Sequence, residues 1–253
     1  MNVSVVIEDV YTFWFSHITL DEHLTLPTLS DNKRWFMRDA AFDQECRHVP
    51  SFTKFGPILT HLKQENVTKS SILHTFNPQT ARAWLSLTIL LDQLPRNCYR
   101  DAESAVVFTF FDPLAQAIAE HAINAGIPSE DPDIRYRLAL RFWFYLPLIH
   151  SEDLTLQDRA CALYDGMTDA INTVLDSPDN KSSLLPEQER KYCETLRSHR
   201  NAVEELCTLH KRVQKDHRDP IVRFGRFPHR NLVLGRISTP EEEKFLKEGK
   251  GFA

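Results

Sequence analysis

The sequence predicts an all-α fold, and three observations support this. Apolar residues recur at spacings of three and four along most of the chain, which is the period of an amphipathic helix. Alternation of apolar and polar residues, which is typical of half-buried strands, is scarce. Glycine makes up only 7 of the 253 residues, under half of the usual share of about 7%, which disfavours turn-rich β-sandwiches. We therefore expect a single domain over 1–253, built as a tetratricopeptide-like array of antiparallel helix pairs.

The helices of the first third follow from apolar spacing and capping residues. A first helix is predicted over 3–17 and a second over 35–49. Asn77 followed by Pro78 is typical of an N-cap with proline at the first helical position. The helix that begins there is predicted to end at Pro95, because a proline disfavours helical geometry in the residue before it.

The middle of the chain shows the same signals. Asp101 is predicted to cap the next helix, and Gly126 is predicted to end it. Asp131 precedes a proline and predicts another helix over 134–146. A further helix is predicted to begin near Thr155.

The amino-acid composition changes in the last part of the chain. A long helix is predicted from Pro186 to about His217. Residues 219–238 are rich in proline, glycine and arginine, so an irregular segment is expected there. Thr239, a following proline and Glu242 form the pattern of a capping box, which predicts a short final helix.

Charge and motif content disfavour several classes of function. The formal net charge is −5, and neither the G-x-G-x-x-G nor the G-x-x-x-x-G-K-[ST] pattern occurs, so no nucleotide cofactor is expected. No H-E-x-x-H pattern occurs either, so no metal site is expected. No apolar run reaches the ~18 residues of a membrane span, and the N-terminus lacks a basic signal region. The five cysteines form no C-x-x-C pair, so we expect a cytoplasmic protein without a membrane partner.

A basic segment lies within this acidic chain. Residues 211–236 contain eight Lys or Arg and two Asp, a net charge of +6, so the remaining residues carry −11. Arginine can bind phosphate or carboxylate through two parallel hydrogen bonds, which makes the segment a candidate for phosphate binding. The alternative is that these arginines bind acidic helix ends within the fold. The candidate phosphate-binding residues are Arg223, Arg226, His229, Arg230 and Arg236.

Two further segments place polar residues next to a proline that follows an apolar helix. In the first, Asp92 and Arg96 are four residues apart and Asn97 follows, so these three are candidate substrate-binding residues. The second segment ends in His-Ser-Glu-Asp at 150–153. These four residues can line a pocket, or they can cap the next helix and bind the C-terminal arginines.

The four residues at 150–153 form the candidate catalytic group. His150 is followed closely by the carboxylates of Glu152 and Asp153, and such a neighbour makes an imidazole more basic, as a general base requires. Ser151 is a candidate nucleophile, although it lies outside a G-x-S-x-G pattern.

These segments together resemble a known family. The chain is similar to domain-of-unknown-function family 924, a helical family found in bacteria and fungi. One departure is Leu94, where the family more often has phenylalanine. The motifs that carry the resemblance are FWF (13–15), RWF..D..FD (34–43), LDQLPRN (91–97), YLPLIHSED (145–153) and RFGRFPHRN…LGR.STPEE..FL (223–246).

The resemblance implies a fold of tetratricopeptide-like helix pairs and a possible chemistry. A fungal branch of the family makes arginine-containing cyclodipeptides from aminoacyl-tRNAs. Membership in that branch implies an aminoacyl transferase whose partners are arginyl-tRNA and a second aminoacyl-tRNA, with no DNA partner. An aminoacyl ester is already activated, so no ATP site is required.

The resemblance to this branch also suggests roles for the candidate residues. His150 would deprotonate the attacking amine, and Ser151 would be a possible acyl acceptor. Asp92, Glu152 or Asp153 would bind the substrate guanidinium, and the C-terminal arginines would bind tRNA phosphates. The alternatives are a helical interaction module without chemistry, and a small-molecule hydrolase that uses Ser151 and His150.

Overall fold

The all-α fold is confirmed. The computed structural model describes residues 3–36, 52–177 and 185–249, and within these ranges it contains helices and turns but no strand. The α-helices are α1 (Val3–Trp14), α2 (Asp21–Thr25), α3 (Leu29–Phe36), α4 (Phe52–Gln64), α5 (Lys69–Phe76), α6 (Ala81–Cys98), α7 (Asp112–Asn124), α8 (Ile127–Glu130), α9 (Leu138–Arg141), α10 (Leu146–Ile149), α11 (Leu154–Asp176), α12 (Glu187–Ser198), α13 (Arg200–Phe224) and α14 (Pro240–Lys247). Shorter turns of 3₁₀-helix lie at Asp101–Ser104, Phe142–Phe144 and Pro228–Arg230, and a π-helical turn lies at Val107–Phe111.

Helix α6 forms the centre of the fold. It packs against α1 on one side and α7 on another, while α11 packs against α13. Most of its residues from Trp84 to Pro95 are buried, including polar Ser86 and Thr88. The hydroxyl of Thr88 donates to the carbonyl of Trp84 at 2.9 Å, so this polar side chain is satisfied within the buried helix.

Two predicted boundaries of α6 differ in the structure. Asn77 does not cap it: Asn77 ends α5 in a left-handed conformation (φ 39°), and Thr80 caps α6 by accepting a hydrogen bond from the amide of Ala83 at 3.1 Å. The helix also continues through Pro95 to Cys98. Pro95 removes one N–H donor, but its ring is buried, and this apolar burial offsets part of the cost of the missing hydrogen bond.

The predicted helix over 134–146 is broken into short pieces. It consists of α9, the 3₁₀ turn Phe142–Phe144 and the start of α10. Phe142, Trp143 and Phe144 are all at most 1% exposed, so packing of three consecutive aromatic side chains into the core takes precedence over regular helix geometry. The first predicted helix ends at Trp14, and the second is described only as far as Phe36. The rest of that prediction, residues 37–49, lies outside the described residues.

The C-terminal part also differs from its prediction. The predicted long helix is two helices, separated at His199, and α13 runs past Asp219 to Phe224. The irregular segment therefore begins at Gly225, whose left-handed backbone (φ 67°) ends α13. The helix persists through Pro220 because this residue and Ile221 are buried.

The capping box of the final helix is confirmed. Thr239 accepts a hydrogen bond from the amide of Glu242 at 3.2 Å, and its own amide donates to the Glu242 carboxylate at 2.7 Å. No helix within the described residues is long and apolar enough to cross a membrane.

Candidate functional site

A cavity of about 430 Å³ lies where the end of α6, the end of α10 and the turn Pro228–Arg230 meet. These three parts of the chain contain the candidate substrate-binding, catalytic and phosphate-binding segments. The polar residues that line the cavity include Arg96, Arg100, His150, His217, His229 and Arg230.

A carboxylate–imidazole pair lies at the cavity, with the imidazole of His150 in its lining. Asp92 lies on α6 and is 1% exposed, and its Oδ1 lies 2.8 Å from Nδ1 of His150. Because Nδ1 is bound to the carboxylate, Nε2 is the ring nitrogen of His150 that remains for proton transfer. The charges of His150 and Arg96 overcome the effect of burial and lower the pKa of Asp92 to about 2, so the carboxylate is ionised at neutral pH.

Arg96 connects this pair to a second buried carboxylate. Because α6 continues through Pro95, Arg96 lies one helical turn from Asp92, and its Nη2 is 3.3 Å from Oδ1 of Asp92. The same nitrogen donates to Asp112 at the start of α7. Asp112 is in turn paired with Arg230, whose Nη1 lies 3.3 Å from its Oδ2. Two buried acids therefore hold two arginines in fixed positions beside the cavity.

Arg230 is the most enclosed of the arginines at the cavity. It is 5% exposed, and its guanidinium lies between the rings of Phe108 and Phe227, 4.3 and 4.5 Å from their centroids. Its Nη2 donates to the carbonyl oxygen of His150 at 2.9 Å. Burial and the neighbouring charge of Arg96 lower the pKa of Arg230 to about 10 even though Asp112 opposes this, so it stays cationic at neutral pH.

The three imidazoles at the cavity are held in the neutral form. Burial is the largest cause in each case, and nearby guanidinium charges add to it. The pKa falls to about 3 for His217 and to about 4 for His229. The pKa of His150 is also below its usual 6.5, because burial and Arg96 outweigh the effect of Asp92. His150 is therefore in its basic form at pH 7.

The wall beside Arg96 has an unusual backbone. Asp101, predicted to cap a helix, begins the 3₁₀ turn Asp101–Ser104 with a left-handed φ of 52°. The π-helical turn Val107–Phe111 follows and supplies Val107 and Phe108 to the cavity. Left-handed non-glycine residues and π-helical turns are both found frequently at functional sites.

The other candidate catalytic residues lie beside the cavity but do not line it. Ser151 is 4% exposed, and its hydroxyl oxygen accepts from the amide of Asp153 at 3.1 Å. Asp153 caps α11 through the amide of Thr155 at 2.7 Å. Glu152 accepts from the amide of Phe227 and is paired with Arg236. Glu152 therefore connects the segment that contains His150 to the C-terminal segment, while the side-chain contacts of Ser151 and Asp153 are local.

The candidate phosphate-binding arginines divide into two groups. Arg230 and the neighbouring His229 line the cavity. Arg223 is instead paired with Glu241 at 2.8 Å, and Arg226 binds Glu242 through two hydrogen bonds of 2.7 and 2.9 Å. The same pairing extends along α13, where Lys211 and Arg218 contact Asp165 and Asp158, respectively.

Comparison with known proteins agrees with the resemblance noted in the sequence. The family model described as "Bacterial protein of unknown function (DUF924)" matches residues 10–250. The chain belongs to this family. It is also similar to a solved structure of a protein of unknown function from Agrobacterium tumefaciens, with 28% identity, a TM-score of 0.60, and coverage of 98% of this chain and 100% of that one. No curated protein matches the chain.

Several residues that line or support the cavity were not predicted from the sequence as functional residues. Asp112 and His217 are the clearest cases, since one pairs with Arg96 and the other lines the cavity. His217 lies seven residues after His210 on α13, which is two helical turns. Both histidines therefore lie on the apolar face of the helix, and this spacing was a signal present in the sequence. Asp112 follows a run of aromatic residues, and no local sequence pattern indicates that it lies beside the cavity. Asn97, which was selected, accepts a hydrogen bond from Arg100 at 3.3 Å.

Within residues 3–36, 52–177 and 185–249, no group of three or more His, Cys, Asp or Glu side chains is arranged to hold a metal ion.

Proposed function

We propose that the cavity is the active site of an aminoacyl transferase that forms an arginine-containing cyclodipeptide from arginyl-tRNA and a second aminoacyl-tRNA. The observation that carries this proposal is the 2.8 Å contact between Asp92 and Nδ1 of His150. It orients the neutral imidazole of His150, which lines the same cavity as three guanidinium groups. A general base beside fixed positive charge suits a reaction in which an amine attacks an ester attached to a phosphodiester chain.

The arginines supply the anion-binding half of this chemistry. Arg96 and Arg230 are oriented by Asp112, and Arg100 lies on the same wall. Guanidinium groups held in advance bind phosphate oxygens without losing side-chain freedom on binding. In the proposed reaction they bind the phosphates next to the terminal ribose of the tRNA.

In each bond-forming step, His150 takes up one proton and then releases it. Nε2 accepts a proton from the α-amine of one aminoacyl group as that nitrogen attacks the ester carbonyl of the other. A C–N bond forms, the ester C–O bond breaks, and the proton passes from His150 to the departing ribose oxygen. A second attack of the same kind within the dipeptidyl ester closes the six-membered ring and releases the second tRNA.

A helical interaction module without chemistry is the second candidate function. The observation that favours it is the internal pairing of the basic segment, because Arg223, Arg226 and Arg236 each bind a glutamate of the same chain. A hydrolase with Ser151 as nucleophile has less support, since that side chain is 4% exposed and its oxygen already accepts a hydrogen bond.

The test is a reconstituted reaction analysed by mass spectrometry. The purified protein is supplied with total tRNA, all amino acids, ATP and aminoacyl-tRNA synthetases, and a parallel reaction contains ribonuclease. We expect a cyclodipeptide that contains arginine, whose mass identifies the second residue, and we expect it to disappear with ribonuclease. A folded protein that forms no such product from demonstrably charged tRNA would contradict the proposal and favour the interaction module.

A further inference from the structure

The basic and acidic side chains of the cavity wall lie at different depths. Arg230 lies deepest, at 5% exposure, and the Arg96 side chain is 19% exposed. Among the described residues that line the cavity, Asp101 carries the one carboxylate, and it is exposed at the rim. The cavity therefore has guanidinium groups at its base, two of them paired with buried acids that do not line the cavity, and a single carboxylate at its mouth.

The other nearby carboxylates are already bound. Asp92 accepts from Gln93 and contacts both His150 and Arg96, while Glu152 is paired with Arg236. Asp101, in contrast, makes no side-chain hydrogen bond or ion pair within the described residues, and its carboxylate is available to a ligand.

The position of Asp101 is also fixed. Its left-handed backbone (φ 52°) opens the 3₁₀ turn, and its carbonyl oxygen accepts a hydrogen bond from the hydroxyl of Ser104 at 2.6 Å. A carboxylate on a held backbone binds a cation with a smaller loss of freedom than one on a loose loop.

We infer that Asp101 binds the cationic end of a bipolar ligand whose anionic end contacts Arg96 and Arg230. The guanidinium groups at the base can only donate hydrogen bonds, so among the charged residues of the described lining the rim carboxylate is the one that can accept from a guanidinium or ammonium group. A carboxylate or phosphate instead accepts hydrogen bonds from the guanidinium groups at the base. This inference rests on the proposed function, since it assigns the arginine side chain of the substrate to one residue of the same cavity.

Calorimetric binding of L-arginine and L-citrulline tests the inference directly. The two ligands have the same length and the same carboxylate, but citrulline ends in a neutral ureido group. We expect the wild-type protein to bind arginine roughly ten-fold more tightly, as a charge-assisted hydrogen bond provides. Asp101→Asn removes the charge and tolerates a left-handed backbone, and we expect it to bind the two ligands within about two-fold of each other.

The matched control is Glu103→Gln, which removes an exposed carboxylate two residues away that does not line the cavity. It should keep the preference for arginine. The inference is overturned if Asp101→Asn keeps that preference, or if the wild-type protein binds both ligands equally or binds neither.

The synthesis reaction separates this inference from the proposed function. With arginyl-tRNA as substrate, Asp101→Asn should raise KM about ten-fold with little change in kcat, because Asp101 binds substrate away from the reacting atoms. An Asp101-dependent preference for arginine without any cyclodipeptide would contradict only the proposed function. Cyclodipeptide synthesis that Asp101→Asn leaves unchanged would contradict only the inference.

Discussion

Oδ1 of Asp92 lies 2.8 Å from Nδ1 of His150, although 58 residues separate them in the chain. Asp92 lies within the buried helix α6, and His150 directly follows α10. A carboxylate in this position fixes the tautomer of the imidazole and stabilises the imidazolium that forms when it takes a proton. The first two predictions below follow from this contact.

Removal of the Asp92 charge should remove most of the activity. We expect Asp92→Asn to lower kcat for cyclodipeptide formation by about 100-fold or more, because the ring loses its oriented tautomer. Asp169→Asn is the matched control, since Asp169 is exposed on α11. Asp92 also contacts Arg96, so His150→Gln serves as a second variant that leaves that ion pair in place. Near-wild-type rates in both variants, with unchanged melting temperatures, would rule out His150 as the base.

The pH dependence should follow the protonation of His150. Burial and Arg96 hold its pKa below 6.5, so kcat/KM should be level near pH 7 and fall only below that pKa, by about ten-fold per pH unit. Asp92 raises this pKa, so Asp92→Asn should move the fall to lower pH. Measurement of kcat/KM between about pH 4.5 and 8.5 tests this. A fall that begins well above pH 7, or one that stays in place in the variant, would contradict it.

The salt dependence of tRNA binding should be weak. Three arginines line the cavity, whereas other basic residues of the 211–236 segment are paired with acids of the chain. Three contacts to a single-stranded end predict a slope of roughly −2 for log K against log salt, and eight contacts predict roughly −6. Filter binding of arginyl-tRNA across a salt series measures this slope. The steeper value would mean that the ion pairs of the segment open to bind RNA.

Glu242 should make a large contribution to stability. It is 1% exposed and accepts hydrogen bonds from Arg226 and from the amide of Thr239. We expect Glu242→Gln to lower the free energy of unfolding by about 2 kcal/mol at pH 7. Glu241→Gln removes an exposed partner of Arg223 and should change it by less than about 0.5 kcal/mol.

The contribution of Glu242 to the free energy of unfolding should also depend on pH. Arg226 lowers its pKa from 4.5 to about 2, so the folded state favours the ionised form. Its contribution is therefore complete above pH 4.5 and is lost as the pH falls towards 2. Urea unfolding at pH 7 and near pH 3 should show a smaller difference between the wild type and Glu242→Gln at the lower pH. An equal difference at both values would contradict the assignment of the shift to Glu242.

The sequence was sufficient for features that depend on neighbouring residues. The capping box of Thr239 and Glu242 involves two residues three apart, and it was predicted correctly, as was the all-α class. The boundaries at Asn77 and Pro95 were predicted wrongly, because local preferences of less than a few kcal/mol yield to burial in the core.

The arrangement of the cavity was decided by the tertiary structure alone. Asp92, Arg96 and His150 were visible in the sequence as polar residues near prolines, but nothing local pairs Asp92 with His150 or brings in Asp112 and Arg230. These contacts form because α6 continues through Pro95 and packs against α7 and α10. The sequence by itself determined a helical chain with its reactive residues, and long-range packing determined which of them meet, because a buried charge is stable only where the fold supplies a partner for it.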